Sequence, residues 1–130
     1  MGFYNIMSQE YRAVKELFSK LLEQPKTSFP QPRNILDAPK AQGVYIIRKN
    51  HSVLHVGRTY RGKDGIKQRL KNHLQASSSF TNDYLNGNGA ILREKGYTYQ
   101  HLVVNDPRKR ALLEAYALGM LCPKHVGIGE

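Results

Sequence analysis

Gly43-Val44-Tyr45-Ile46-Ile47-Arg48 and Val53-Leu54-His55-Val56-Gly57 are the stretches that decide the fold. Both are short runs rich in strand-forming residues, and Lys49 to Ser52 separate them as a turn. Such a pair reads as a β-hairpin. Tyr45 and His55 lie almost equally far from the turn centre, so the hairpin places them close to opposite, within one register step.

Towards the C-terminus, residues 58–65 form a basic, glycine-containing loop. The spacing of Ile66, Leu70 and Leu74 predicts a helix over 66–76, with Arg69 and His73 one turn apart on an adjacent face. Residues 77–89 are polar and end in the turn signal Asn86-Gly87-Asn88-Gly89; a short helix over 90–95 and a third strand over 97–104 follow. Asp106-Pro107 is a cap followed by proline at the first helical position. The helix it starts is apolar around most of its circumference, which predicts burial, and Pro123 ends it. Towards the N-terminus, Pro25, Pro30, Pro32 and Pro39 make residues 24–42 an irregular connector along the surface. Before it, residues 8–23 read as an amphipathic helix capped by Ser8, suited to packing on the domain or, second, to a partner protein or a homodimer. The expected fold class is α/β: a small sandwich with a three-stranded, mainly antiparallel sheet flanked by helices, plus the N-terminal helix. Residues 1–40 are expected to be that helix and its proline-rich connector, and 41–130 the main domain.

A chain of 130 residues suggests one domain with one modest core. No apolar run is long enough to span a membrane, and Met1-Gly2-Phe3-Tyr4-Asn5 lacks the basic start and apolar core of a signal peptide. Cys122 is the single cysteine, which rules out an internal disulfide and suits a reducing, cytoplasmic setting. Lys plus Arg is 20 against 10 for Asp plus Glu, a formal net charge of +10. That imbalance points to a polyanionic partner, nucleic acid first and an acidic membrane surface second. Arg58, Arg61, Lys63, Lys67, Arg69 and Lys71 crowd one stretch, and Arg108, Lys109 and Arg110 another. With one cysteine, and with His51, His101 and His125 at no ligand-like spacing, a zinc site is not indicated.

Glu114 stands in the middle of an apolar helix, between Leu112, Leu113, Ala115 and Tyr116. Burying an unpaired carboxylate is costly, so it must meet a cation, bind a metal or face the edge of the core. One hard carboxylate completed by waters and substrate phosphate oxygens is an ordinary way to hold Mg²⁺. Arg69 offers a rigid fork of donors suited to phosphate, and His73 could donate to the same phosphate or orient a water. Tyr45 is a poor base unless cations lower its pKa from ~10. Arg58 and Arg69 are the candidates for that, and His55 could accept from or donate to its hydroxyl.

Taken in order, Gly43-Val44-Tyr45, His55-Val56-Gly57, Arg58, Arg69 in Gln-Arg-Leu, His73, Glu114 in Leu-Leu-Glu-Ala-Tyr and Leu121-Cys122-Pro123 resemble the GIY-YIG nuclease superfamily over residues 41 to 123. His55 replaces the tyrosine of the second motif, and Val126 stands near the place where some members carry an asparagine. The resemblance implies hydrolysis of a DNA phosphodiester with one divalent ion, Mg²⁺ or Mn²⁺. Tyr45 would activate the attacking water, Arg69 would stabilise charge on phosphorus and Glu114 would hold the metal. Arg58 and His73 would bind phosphate oxygens or assist proton movement, and His55 could share the base role. Arg58, Arg61, Lys63, Lys67, Lys71, Arg108, Lys109 and Arg110 would bind nucleic acid, with RNA as well as DNA open. The alternative is a non-catalytic nucleic-acid-binding module on the same fold.

Overall fold

In the computed structural model, which describes residues 8–127, the hairpin supplies one inner and one edge strand of a four-stranded antiparallel sheet. The reading of Met1 to Asn5 falls outside the described residues. The elements run α1 (Gln9–Glu23), β1 (Thr27–Ser28), β2 (Gly43–Lys49), β3 (Ser52–Arg58), α2 (Gly65–Leu74), a π-helical turn (Phe80–Tyr84), a 3₁₀ turn (Gly89–Arg93), β4 (Tyr97–Val103) and α3 (Pro107–Leu121). The sheet order is β1-β4-β2-β3. The expected three strands are therefore four. The addition is β1, inside the proline-rich connector, where Thr27 and Ser28 pair with Tyr99 and Thr98. The prolines leave this stretch short but do not leave it loose, because Phe29 and Leu36 sink into the core.

Alternation along β2 divides the domain into two cores. Val44 and Ile46 face Phe18 and Leu21 of α1 and Leu113 and Ala117 of α3. Tyr45 and Ile47 face Ile66 and Leu70 of α2 together with Phe80, Leu92, Tyr97 and Tyr99. With β4 on one side and β3 on the other, β2 is covered on both faces, and its four residues Val44 to Ile47 are fully buried. Helix α1 is therefore part of the fold, and Ser8 caps it by accepting from the Tyr11 N–H at 3.0 Å.

Helix α3 departs from the expected all-round burial. Only Arg110, Leu113 and Ala117 are buried, and Met120 is well exposed. The helix lies on the outside of a thin sandwich, so one stripe meets the sheet and α1 while the rest meets solvent. Asp106 caps it through the N–H groups of Arg108 and Lys109, and Cys122 ends it in the left-handed conformation before Pro123. Beyond that, the backbone N–H groups of Lys124 and His125 donate to Val53 and Leu54 carbonyls, covering part of the β3 edge. Among the described residues no helix is long and apolar enough to cross a membrane.

Candidate functional site

A β-bulge decides which side chains meet. Arg48 pairs with Val53, but Ile47 pairs with His55, so Leu54 is an extra residue in β3. Without it Tyr45 would oppose Val56 and His55 would point to the other face. With it Tyr45 opposes Gly57, and His55 sits diagonally, two residues further along the same face. The near-opposite pairing expected from the turn is thus replaced by a diagonal one, with ring centroids 6.0 Å apart. Gly57 is required by this arrangement. A Cβ there would run into the Tyr45 hydroxyl and ring, which lie across the strand.

The Tyr45 hydroxyl meets His73 Nε2 at 2.7 Å, and His73 Nδ1 meets Ser78 Oγ at 2.7 Å. The acceptors fix the direction of each proton. Thr81 Oγ1 donates to the His73 carbonyl, and Ser78 Oγ donates to Thr81 Oγ1. The Ser78 oxygen can then only accept, from the Thr81 N–H and from His73 Nδ1–H. His73 is left with a bare Nε2, to which Tyr45 donates. Tyr45, His73 and Thr81 are fully buried and Ser78 nearly so.

Burial sets the protonation of this group. It pushes Tyr45 up to about 12, against the opposing charge of Arg69. It holds His73 well below its ordinary value, helped by repulsion from His55, Arg69 and His125. His55 is drawn down to about 3 by burial first, then by His125 and Arg69. Its ring stacks on Phe80, and its Nδ1 lies 3.2 Å from His125 Nδ1.

In front of this group is a cleft of about 210 Å³ lined by His55, Gly57, Arg58, Tyr60, Arg69 and Glu114, with Val126 and Gly127 on its rim. Arg58 Nε stands 3.1 Å from Glu114 Oε1, and its guanidinium lies over the Tyr60 ring at 4.6 Å. The Arg58 N–H is not aligned on the carboxylate, so the contact is an ion pair rather than a hydrogen bond. Glu114 is raised by burial, with Arg58 and then Arg69 working against that rise. Arg69 Nε is buried without a hydrogen-bond partner among the described residues. His73 and Tyr45 are both enclosed behind the cleft and neither lines it.

The other basic residues divide. Arg61 and Lys63 are exposed in the loop after β3, whereas Lys67 and Lys71 lie on the far flank of α2. Arg108 and Lys109 form ion pairs with Glu10 of α1 at 2.9 and 2.8 Å. Arg110 is misplaced in the expected nucleic-acid surface. It is 4% exposed, and its guanidinium donates to the carbonyls of Thr59, Tyr60, Val104 and Asn105, tying the basic loop to the start of α3. Ser78, Thr81 and His125 were not singled out as site residues by their sequence. The first two sit in an unpatterned polar run, and His125 meets His55 only through the tertiary fold.

Among the described residues no group of three or more His, Cys, Asp or Glu side chains is placed to hold a metal ion. No protein-family model and no curated protein matches the chain.

Proposed function

We propose that this protein is a divalent-metal-dependent DNA endonuclease of the GIY-YIG type. One observation carries the reading: a single cleft gathers Arg58, Arg69 and Glu114 from three separate elements, with the Tyr45–His73 pair directly behind Gly57. The donor set suits a phosphodiester. Arg69 lines the cleft and forms no ion pair with any described acidic residue, which leaves its guanidinium for a phosphate oxygen.

The residues fit one hard divalent ion held by few protein ligands. Glu114 Oε1 takes Arg58, its second oxygen makes no hydrogen bond with described residues, and Mg²⁺ ordinarily keeps several waters beside one or two carboxylates and substrate phosphates. A bound Mg²⁺ or Mn²⁺ would supply Lewis-acid stabilisation of the leaving oxygen. Arg58 and Arg69 stabilise the charge that develops on the phosphoryl oxygens. The tyrosine at about 12 stays protonated in the resting site. Its hydroxyl donates to the neutral His73 Nε2 behind the cleft wall, and to act on the attacking water it would have to turn from His73 into the cleft. His55, also neutral, offers that water an acceptor at the cleft wall.

A second reading, a non-catalytic nucleic-acid-binding module, is favoured by the full burial of Tyr45 and by the pairing of Glu114 with Arg58. Incubating supercoiled plasmid with Mg²⁺, Mn²⁺ or EDTA separates the two. Metal-dependent nicking that disappears in Glu114→Ala supports the nuclease. A salt-sensitive gel shift without cleavage, across plain, branched and modified substrates, supports the binding module.

A further inference from the structure

A second cleft, of about 350 Å³, lies on the other flank of α2. Helix geometry separates it from the first. Lys67, Lys71 and Gln75 follow one another at intervals of four and line this cleft, whereas Arg69 and His73 run along the opposite flank, with Ile66 and Leu70 buried between them. The two flanks are about one helix diameter apart, ~10 Å.

The lining is chemically one-sided. It contains three cations, Lys67, Lys71 and Arg93, and no carboxylate. Lys67, Lys71 and Arg93 form no ion pair with any described acidic residue. Arg93 is held in place: its Nη1 donates to the Pro30 carbonyl, and its own carbonyl accepts from Gln31 Nε2 at 3.1 Å. That leaves most of the guanidinium fork unused. Ile35 is 81% exposed and borders the cleft, with Pro30 and Leu74 beside it. Asn34 and Gln75 add two side-chain amides.

We propose that this second cleft binds one nucleotide unit of a nucleic-acid strand, with its phosphate on Lys67, Lys71 and Arg93 and its unpaired base against Ile35 and Leu74. A bare phosphate would satisfy the cations and leave Ile35 in water. A nucleotide offers both a phosphate for the cations and a ring face for Ile35. Asn34 and Gln75 have the donor and acceptor pair that reads a base edge. The inference rests on the nucleic-acid reading above but not on cleavage. It would make α2 a divider between the cleft where a strand reacts and a cleft that holds the same strand further along.

The test is methyl NMR on the whole protein, with thymidine 5′-monophosphate and inorganic phosphate as separate probes. The nucleotide is expected to move the Ile35 and Leu74 methyl signals saturably, and phosphate to leave the Ile35 methyl in place. The double variant Lys67→Gln/Lys71→Gln, at one half-buried and one exposed position, is expected to weaken nucleotide binding roughly tenfold or more while keeping the wild-type spectrum elsewhere. Nucleotide shifts confined to residues around Arg58 and Arg69 would overturn the second site and leave the nuclease reading intact. Shifts at Ile35 in a protein that cuts none of the plain, branched and modified substrates would keep the second site and remove the nuclease. A glutamate-rich peptide that moves Ile35 where the nucleotide does not would assign the cleft to an acidic protein partner and overturn the proposal.

Discussion

The two faces of the sheet have different contents. The face under α1 and α3 is mostly aliphatic and aromatic, with Val44, Ile46, Val56, Phe18, Leu21, Leu113 and Ala117. Its one fully buried polar side chain, Gln100, accepts from Arg48 and donates to the Leu22 and Gln24 carbonyls. The face under α2 buries Tyr45, His73, Ser78 and Thr81 among its leucines and aromatics, joined by hydrogen bonds. Successive residues of one strand serve the two purposes, since Val44 and Ile46 face one way and Tyr45 and Ile47 the other. The first face loses stability in proportion to the volume removed. The second depends on every polar partner being present, because an unpaired polar group in low dielectric is costly.

The largest break in this comparison is expected on the apolar face. Leu113→Ala should cost about 2–5 kcal/mol of unfolding free energy, read by chemical denaturation, because α3 leaves few neighbours to close the gap. The Tyr45–His73 contact should survive it. Gly57→Ala should cost about 1–3 kcal/mol as an overpacking change. Unlike Leu113→Ala, it should displace the Tyr45 ring, seen as altered aromatic NMR shifts at Tyr45 and His73. A variant with unchanged shifts would mean that Gly57 does not position the tyrosine. Ser78→Ala should cost about 1–3 kcal/mol by stranding His73 Nδ1–H. Its sharper signature is the ¹⁵N shift pattern of His73, which should move from a single tautomer to a mixture.

Titration sharpens the same contrast. His55 and His73 are both held below the unfolded value near 6.5. Below that pH the unfolded chain takes up protons that the native site refuses. Stability on their account is therefore level above about 6.5 and falls as pH drops towards the His55 value of about 3. His55→Tyr should flatten that slope when urea midpoints are compared at mildly acidic and neutral pH; an unchanged slope would remove His55 as a source. The smallest effect is expected at the outer seam between α1 and α3. Glu10 is lowered to about 2 by Arg108 and then Lys109, but the Arg108 side chain is largely in water. Arg108→Ala should barely move the melting temperature, and salt should erase what change there is.

How far the sequence carried differs between fold and site. The hairpin, α1, α2 and α3 were legible because alternation, helical spacing, Ser8 and the Asp106-Pro107 start are local signals. Strand β1 was not, because two residues among prolines pair with β4 only once the sheet exists. The order of Tyr45, His55, Arg58, Arg69 and Glu114 picked out residues that the structure brings together around one cleft. Arg110 shows the limit of charge reading. In sequence it belongs to a basic run, and in the fold it is buried under four carbonyls.

By itself the sequence determined where the three long helices and the three longer strands begin, because caps, prolines and apolar spacing act within a few residues. It also determined the strong positive charge, which depends on composition alone. The tertiary structure decided the rest. The Leu54 bulge put His55 on the tyrosine's face, and Gly57 let that ring cross the strand. Ser78 and Thr81 fixed the proton on His73, and α2 separated one basic cleft from another. Each of these depends on register or on a contact between residues distant in the chain, and a one-residue slip in a strand reverses every side chain on it.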